Sequence, residues 1–368
     1  MKRKKIFFFS GSLRAGGAEK RLSKLCNYFS INNFNVTLVL LDIRGPLLDS
    51  LNDDIKVVRL CDHKIKLIRN RLITRIICFL NLVKKEKPDI IFTTLAGTNL
   101  ISLLSTYFLS KNGPKIVSEV VTHPIRHSRL IRNLYHRADL IISNSEGIKN
   151  YLIDKLSIEE YKVKRIYNGV DLEKIEEMSQ VYEYDKKNSQ KMIVNVGTLS
   201  QVKNQKDAIF SLFLINHFFP CTLTIVGEGD MRQSLTKLAR RLNLSDKVFF
   251  TGFSNNPYKF IRKSDVYILT SKNEGLPTAI LESMACKVPV ISYDIEFGPN
   301  EIIDHGINGS LCLKNNVTQL TKEIVNLLRH KNVADKYKKE AYYTVKSRFQ
   351  LKRWDPRVPS SNSPYSES

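Results

Sequence analysis

The sequence predicts an α/β protein built of two doubly wound domains in tandem. Short runs rich in Val, Ile and Leu alternate with longer helical patterns along the chain, as in parallel sheets covered by helices on both faces. The runs fall into two consecutive series separated by a polar stretch at 171–190. The length, 368 residues, suffices for two domains of ordinary size.

In the first series, strands are expected at 5–10, 36–41, 56–60, 89–94, 115–120, 140–145 and 163–167, with helices such as 18–29 and 65–85 between them. The apolar run Ile6-Phe7-Phe8-Phe9 follows a basic start that imitates a signal peptide. It is too short for an export signal, so a buried first strand in a cytoplasmic protein is expected. Residues 90–110 carry no charge over 21 positions, enough to span a bilayer. Their Thr, Ser, Asn and Gly content favours a buried strand followed by a core helix.

In the second series, strands are expected at 192–196, 222–226, 248–251, 266–270, 288–293 and 310–313, with helices such as 231–242 and 317–329. The polar stretch 171–190 opens this half. The expected domains are therefore 1–172 and 173–354, with the linker inside 173–190. Open α/β sheets bind ligands at the carboxyl ends of their strands, so the two domains are expected to face each other, Rossmann-like, across a cleft. The helical pattern stops at Trp354. The residues from there can be encoded by GGATCC, CCCGGG, GGTACC, GAGCTC and GAATTC in succession, so 355–368 is read as a vector-encoded tail.

Composition excludes some classes. With 42% hydrophobic and 26% charged residues the chain is globular rather than disordered. Six cysteines occur without a C-x-x-C pair, which argues against a zinc ribbon or a dithiol redox motif and fits buried thiols in a reducing compartment. The formal net charge is +22, and residues 1–170 hold most of it, with 30 Lys and Arg against 14 Asp and Glu. A basic half suits an anionic partner, whether nucleic acid, acidic lipid or a phosphorylated acceptor. No aromatic-basic interleaving or RNA-binding motif favours nucleic acid.

The densest signal lies in 264–292, which reads as strand, tight loop, helix and strand. Gly275 lets a backbone approach a ligand, and Pro277 suits the first turn of a helix. The positive end of that helix would then meet an anion such as a diphosphate. Glu274 sits in the loop and Glu282 in the second turn. Carboxylates accept hydrogen bonds from hydroxyl groups, so the pair suits a sugar on one side of the phosphates and a ribose on the other. The plainer account is one Glu complementing the helix dipole and a second facing solvent. The Gly-Leu-Pro loop favours the ligand-binding account.

With these residues the sequence resembles the GT-B glycosyltransferases of family 4 (group 1), retaining enzymes, over nearly all of the chain to Trp354. The resemblance implies that Glu274 meets the donor hexose, Glu282 the ribose hydroxyls, and the backbone around Gly275, Leu276 and Thr278 the diphosphate. The segment Val194–Asn204 is similar to the family's phosphate loop. Lys203 stands at its diphosphate-binding Lys, and Thr198 where many members carry Arg. Gly252 and Phe253 fall where the base is expected. Gly16 and Gly17 match a loop that closes over donor phosphate and acceptor. His123 is the nearest candidate for a histidine near the reacting centre, displaced in register, with His127 as the other choice. The segment 294–303, with Gly298-Pro299, resembles bacterial members that use UDP-sugars for surface polysaccharides.

The expected function is transfer of a hexose or N-acetylhexosamine, with retention, from a UDP-linked donor to a lipid-linked glycan in lipopolysaccharide O-antigen or capsule synthesis. No D-x-D motif appears in a matching context, so the expected reaction is metal-independent and uses no cofactor beyond the nucleotide-sugar substrate. The expected place is the cytoplasm, with peripheral contact to the anionic inner membrane and no nucleic acid. The alternatives are a UDP-sugar epimerase of the same fold and a basic protein that binds nucleic acid or membrane surfaces.

Overall fold

A computed structural model describes residues 3–14, 16–61, 70–110, 112–121, 133–180 and 190–351. His123, His127 and the tail 355–368 lie outside these. The chain divides into two compact units, Met1–Ile166 and Tyr167–Ser368.

The first unit holds strands β1 (Lys5–Ser10), β2 (Asn35–Leu40), β3 (Lys56–Arg59), β4 (Ile90–Thr94), β5 (Lys115–Val120), β6 (Leu140–Ser143) and β7 (Val163–Arg165). They form one parallel sheet in the order β3-β2-β1-β4-β5-β6-β7. β1 is central, and Phe7, Phe8 and Phe9 are fully buried, which accounts for its unbroken apolar run. Helices α1 (Gly17–Ile31), α2 (Arg71–Glu86), α3 (Ala96–Ser105) and α4 (Glu146–Asn150) connect the strands. The uncharged stretch is β4 followed by α3. Its polar residues are internal: Thr93 Oγ1 donates to Asn99 Oδ1 at 2.6 Å, and Asn99 Nδ2 donates to the Glu119 carbonyl at 2.9 Å. Among the described residues no helix is long and apolar enough to cross a membrane.

The second unit opens with α5 (Leu172–Ser179), capped by the Asp171 carboxylate, which accepts from Lys174 N at 3.1 Å. Its sheet contains β8 (Lys191–Val196), β9 (Cys221–Val226), β10 (Val248–Gly252), β11 (Val266–Leu269), β12 (Val290–Asp294) and β13 (Ser310–Leu313), all parallel in the order β10-β9-β8-β11-β12-β13. The helices are α6 (Gln205–Ile215), α7 (Arg232–Arg241), α8 (Tyr258–Lys263), α9 (Thr278–Ala285), α10 (Pro299–Ile302), α11 (Val317–Arg329) and α12 (Lys331–Thr344). One face of the sheet packs Ile193, Ile225 and Ile268 with residues of α6, α7 and α11. The other packs Val194, Tyr267 and Leu269 with Ile280, Leu281 and Met284 of α9. Both units are thus doubly wound Rossmann-like sheets. In each, the strand order reverses once, between β1 and β4 in the first and between β8 and β11 in the second, and such a switch point opens a crevice at the carboxyl ends of the strands.

Candidate active site in the second domain

β8 and β11 are neighbours, so the loops leaving their carboxyl ends meet at the switch point. Two hydrogen bonds fix that meeting. Lys272 N donates to the Val202 carbonyl at 2.8 Å, and Thr270 Oγ1 donates to the Lys203 carbonyl at 3.1 Å. The result brings Lys203 Nζ to 2.5 Å from Glu274 Oε1. Glu274 is buried, with a relative exposure of 8%, and a carboxylate so desolvated is costly unless a cation meets it. Lys203 is that cation.

The Gly-Leu-Pro loop runs from Glu274 into α9. Pro277 is the residue just before the helix, with φ −72° and ψ 102°, so the helix starts one residue later than Pro277 itself. Ile280, Leu281 and Met284 anchor α9 to the sheet, and Ser283 Oγ bonds back to the Ala279 carbonyl at 2.7 Å. Asn168 Nδ2 donates to the Leu276 carbonyl at 3.1 Å. The loop is therefore pinned at its base, and it leads into the positive end of α9. Gly298, with φ +93°, packs its backbone on Gly275: a Cβ there would lie 2.0 Å from the Gly275 oxygen. The Gly298-Pro299 turn is thus a buttress for the Gly275 loop.

Glu282 lies half-buried on the flank of α9, and the Tyr258 hydroxyl of α8 donates to its Oε1 at 3.3 Å. Tyr267 of β11 is fully buried below α9, and its hydroxyl has no hydrogen-bond partner among the described residues. Its phenol is pushed well above the ordinary tyrosine range by burial first, then by the charges of Glu274 and Glu282. Both carboxylates therefore act on one buried ring.

Thr198 is exposed after β8, and its carbonyl accepts from Gln205 Nε2 at 3.0 Å. Gly252 ends β10, and its carbonyl accepts from Gly227 N at 2.9 Å. Gly227 in turn sits against Gly197, where a Cβ would lie 2.0 Å from the Gly197 oxygen. Close backbone contacts thus line up the rim loops after β8, β9 and β10. Phe253 is exposed beside them. The second unit thus brings Lys203 to Glu274 at the switch point, next to Gly275, Leu276 and Thr278 of the loop and helix start, with Glu282 one turn along α9. Tyr258, the hydrogen bond from Asn168 to Leu276 and the buttressing role of Gly298 were not apparent in the sequence, because each acts on a partner remote in the chain.

In the first unit, Gly16 is the residue before α1, and a Cβ on it would lie 2.3 Å from Glu19 Oε2. The Glu19 carboxyl thus folds over the start of α1, where Gly17 is the first helical residue. On the same helix Arg21 Nη1 pairs with Glu119 Oε1 of β5 at 2.6 Å, and Glu119 is almost fully buried. Among the described residues, no group of three or more His, Cys, Asp or Glu is placed to hold a metal ion.

Comparison with known proteins agrees with this fold. Residues 15–174 match the family described as Glycosyltransferase Family 4, and residues 177–344 match Glycosyl transferases group 1. The chain is 28% identical over 360 residues to the N-acetylgalactosamine-N,N'-diacetylbacillosaminyl-diphospho-undecaprenol 4-alpha-N-acetylgalactosaminyltransferase of Campylobacter jejuni, covering 93% of this chain and 95% of that protein. It is 27% identical over 318 residues to the UDP-Gal:alpha-D-GlcNAc-diphosphoundecaprenol alpha-1,3-galactosyltransferase of Escherichia coli, covering 80% of each. Among solved structures, Anabaena HepE in complex with UDP and glucose aligns with a TM-score of 0.79 at 20% identity, covering 95% of this chain and 97% of that one. The two family matches together span nearly all of the described chain, and the protein belongs to the group 1 glycosyltransferases, enzymes of GT-B fold with a Family 4 first domain.

Proposed function

We propose that this glycosyltransferase moves a hexose or N-acetylhexosamine from a UDP-sugar to a lipid-linked glycan during bacterial surface-polysaccharide synthesis, with retention at the anomeric carbon. The observation that carries the reading is the Lys203–Glu274 pair at the switch point, beside the start of α9. A cation and a helix N-terminus suit a diphosphate, and a carboxylate next to them suits the hydroxyls of the sugar that the diphosphate carries. Glu282, one turn further, suits the ribose. The bacterial relatives named above act on undecaprenyl-diphosphate-linked sugars, which supports a lipid-linked acceptor.

As the sugar–phosphate bond breaks, negative charge grows on the departing UDP. In this reading Lys203, drawn from Glu274 to the diphosphate, and the α9 dipole offset that charge, and such groups need no metal to stabilise it. The surplus of Lys and Arg in residues 1–170 supports contact with an anionic leaflet that carries the acceptor.

A thermal-shift panel with UDP-, GDP- and ADP-sugars tests the donor, because a ligand of the folded state raises its melting temperature. UDP-sugars should stabilise most. Transfer to a synthetic lipid-diphosphate sugar, with the anomeric configuration read by NMR, tests the rest. Free sugar released without acceptor, a UDP-sugar interconverted in place, or salt-sensitive RNA binding indifferent to UDP would each replace this reading.

A further inference from the structure

Glu282 does not stand alone on α9. The Tyr258 hydroxyl donates to its Oε1 at 3.3 Å, and one turn along, Arg262 Nη1 donates to the Cys286 carbonyl at 2.8 Å. The two contacts use the same four-residue step on both helices, 258 to 262 and 282 to 286, so α8 and α9 are clipped together twice along one pair of faces. Tyr258 is half-buried, and its phenol is pushed up by burial, by the charge of Glu282 and by the bond to it. The hydroxyl thus stays a donor throughout the neutral range. Each staggered rotamer places the Glu282 carboxylate differently. A donor on a second helix, itself held by Arg262, selects one of them.

We propose that Tyr258 is a positioning residue for nucleoside recognition: through its hydrogen bond it holds the Glu282 carboxylate where it accepts from the ribose hydroxyls of a nucleoside diphosphate. The inference rests on reading Glu282 as the ribose-binding acid. Tyr258→Phe removes the hydroxyl and keeps the ring, and the Arg262–Cys286 contact still joins the helices.

The experiment is calorimetric titration of wild type and Tyr258→Phe with UDP and with 2′,3′-dideoxy-UDP. Wild type should bind the dideoxy probe about tenfold or more weakly, the size expected for hydrogen bonds to a charged group. Tyr258→Phe should lose about three- to tenfold for UDP and almost nothing for the dideoxy probe, with an unchanged melting temperature. In turnover it should raise KM for the donor more than it lowers kcat. If both proteins discriminate equally, or Tyr258→Phe weakens both probes alike, Tyr258 does not act through the ribose and the inference falls while the ribose reading of Glu282 stands. If wild type itself does not discriminate, that reading fails and takes the inference with it.

Discussion

Lys203 Nζ lies 2.5 Å from Glu274 Oε1, so two groups suited to neighbouring parts of one donor hold each other. The pair is partly shielded, with side-chain exposures of 28% and 10%, where attraction between charges is stronger than at an open surface. An arriving diphosphate must take Lys203 from Glu274 and approach the carboxylate's own charge. Glu274→Gln keeps the shape and removes that charge. UDP should then bind a few-fold more tightly by calorimetry, while sugar transfer falls by about 100-fold or more, the scale for losing a preorganised group at the reacting centre. Lys203→Gln should do the reverse to binding, weakening UDP. Unchanged UDP affinity in the Glu274 variant would mean the pair opens without cost.

Gly298 supports Gly275 backbone to backbone. Replacing it with Ala adds a Cβ 2.0 Å from the Gly275 oxygen at a φ of +93°. Strain of this kind costs about 1–3 kcal/mol, and relieving the clash moves the loop that carries Glu274. Gly298→Ala should therefore lower the denaturant midpoint and raise donor KM together. Gly306→Ala is the control, since Gly306 has φ +78° but open space around its missing Cβ. It should cost stability and leave KM alone. A matching KM change in both variants would show that strain, and not the Gly275 contact, sets the effect.

The strands were legible because burial on both faces writes them as unbroken apolar runs. β11 is a clear case, Val266-Tyr267-Ile268-Leu269 with every residue buried. Edges were less legible. The strand expected at 288–293 begins at Val290, because Lys287 turns the chain at φ +57° and Pro289 has no N–H to donate to the ladder. The helix expected at 65–85 begins at Arg71, capped by the Asn70 side chain. At the site, Glu274, Glu282 and Lys203 were legible as residue types in telling local settings. Their partners were not. Lys203 meets Glu274 only because β8 and β11 are adjacent, a fact of strand order rather than of either segment. Tyr258 sits in Asn256-Pro257-Tyr258-Lys259, a stretch with no periodic signal, and its importance comes from a helix beginning 20 residues later.

In the first domain, Arg21 Nη1 compensates Glu119 at 2.6 Å, and Glu119 is 1% exposed. Removing one member of a buried pair strands the other charge at a cost of about 3–5 kcal/mol. Arg21→Ala should therefore unfold this domain at markedly lower denaturant. Arg21→Met combined with Glu119→Gln removes both charges and should recover most of the loss. Equal destabilisation of the single and double variants would locate the cost in packing around Arg21 instead of in the stranded carboxylate.

Glu19 folds over Gly16 at the start of α1, and burial raises its carboxyl pKa above the ordinary 4.5, against smaller lowering effects from its own backbone hydrogen bond and from Arg14. The sign of its contribution follows from that direction. Between the unfolded and folded pKa values the folded state binds more protons, so stability falls as pH rises through this window. Below the unfolded value both states are protonated and the penalty vanishes. Above the folded value it is constant. Glu19→Gln keeps a polar group of the same length over Gly16 and removes the titration. Its stability should equal that of wild type in acid and exceed it increasingly as pH rises from about 4.5 toward neutrality, the difference then levelling off. Urea midpoints measured at several pH values provide the check. A wild-type advantage at neutral pH would show that the charge at the positive end of α1 outweighs the cost of burying it.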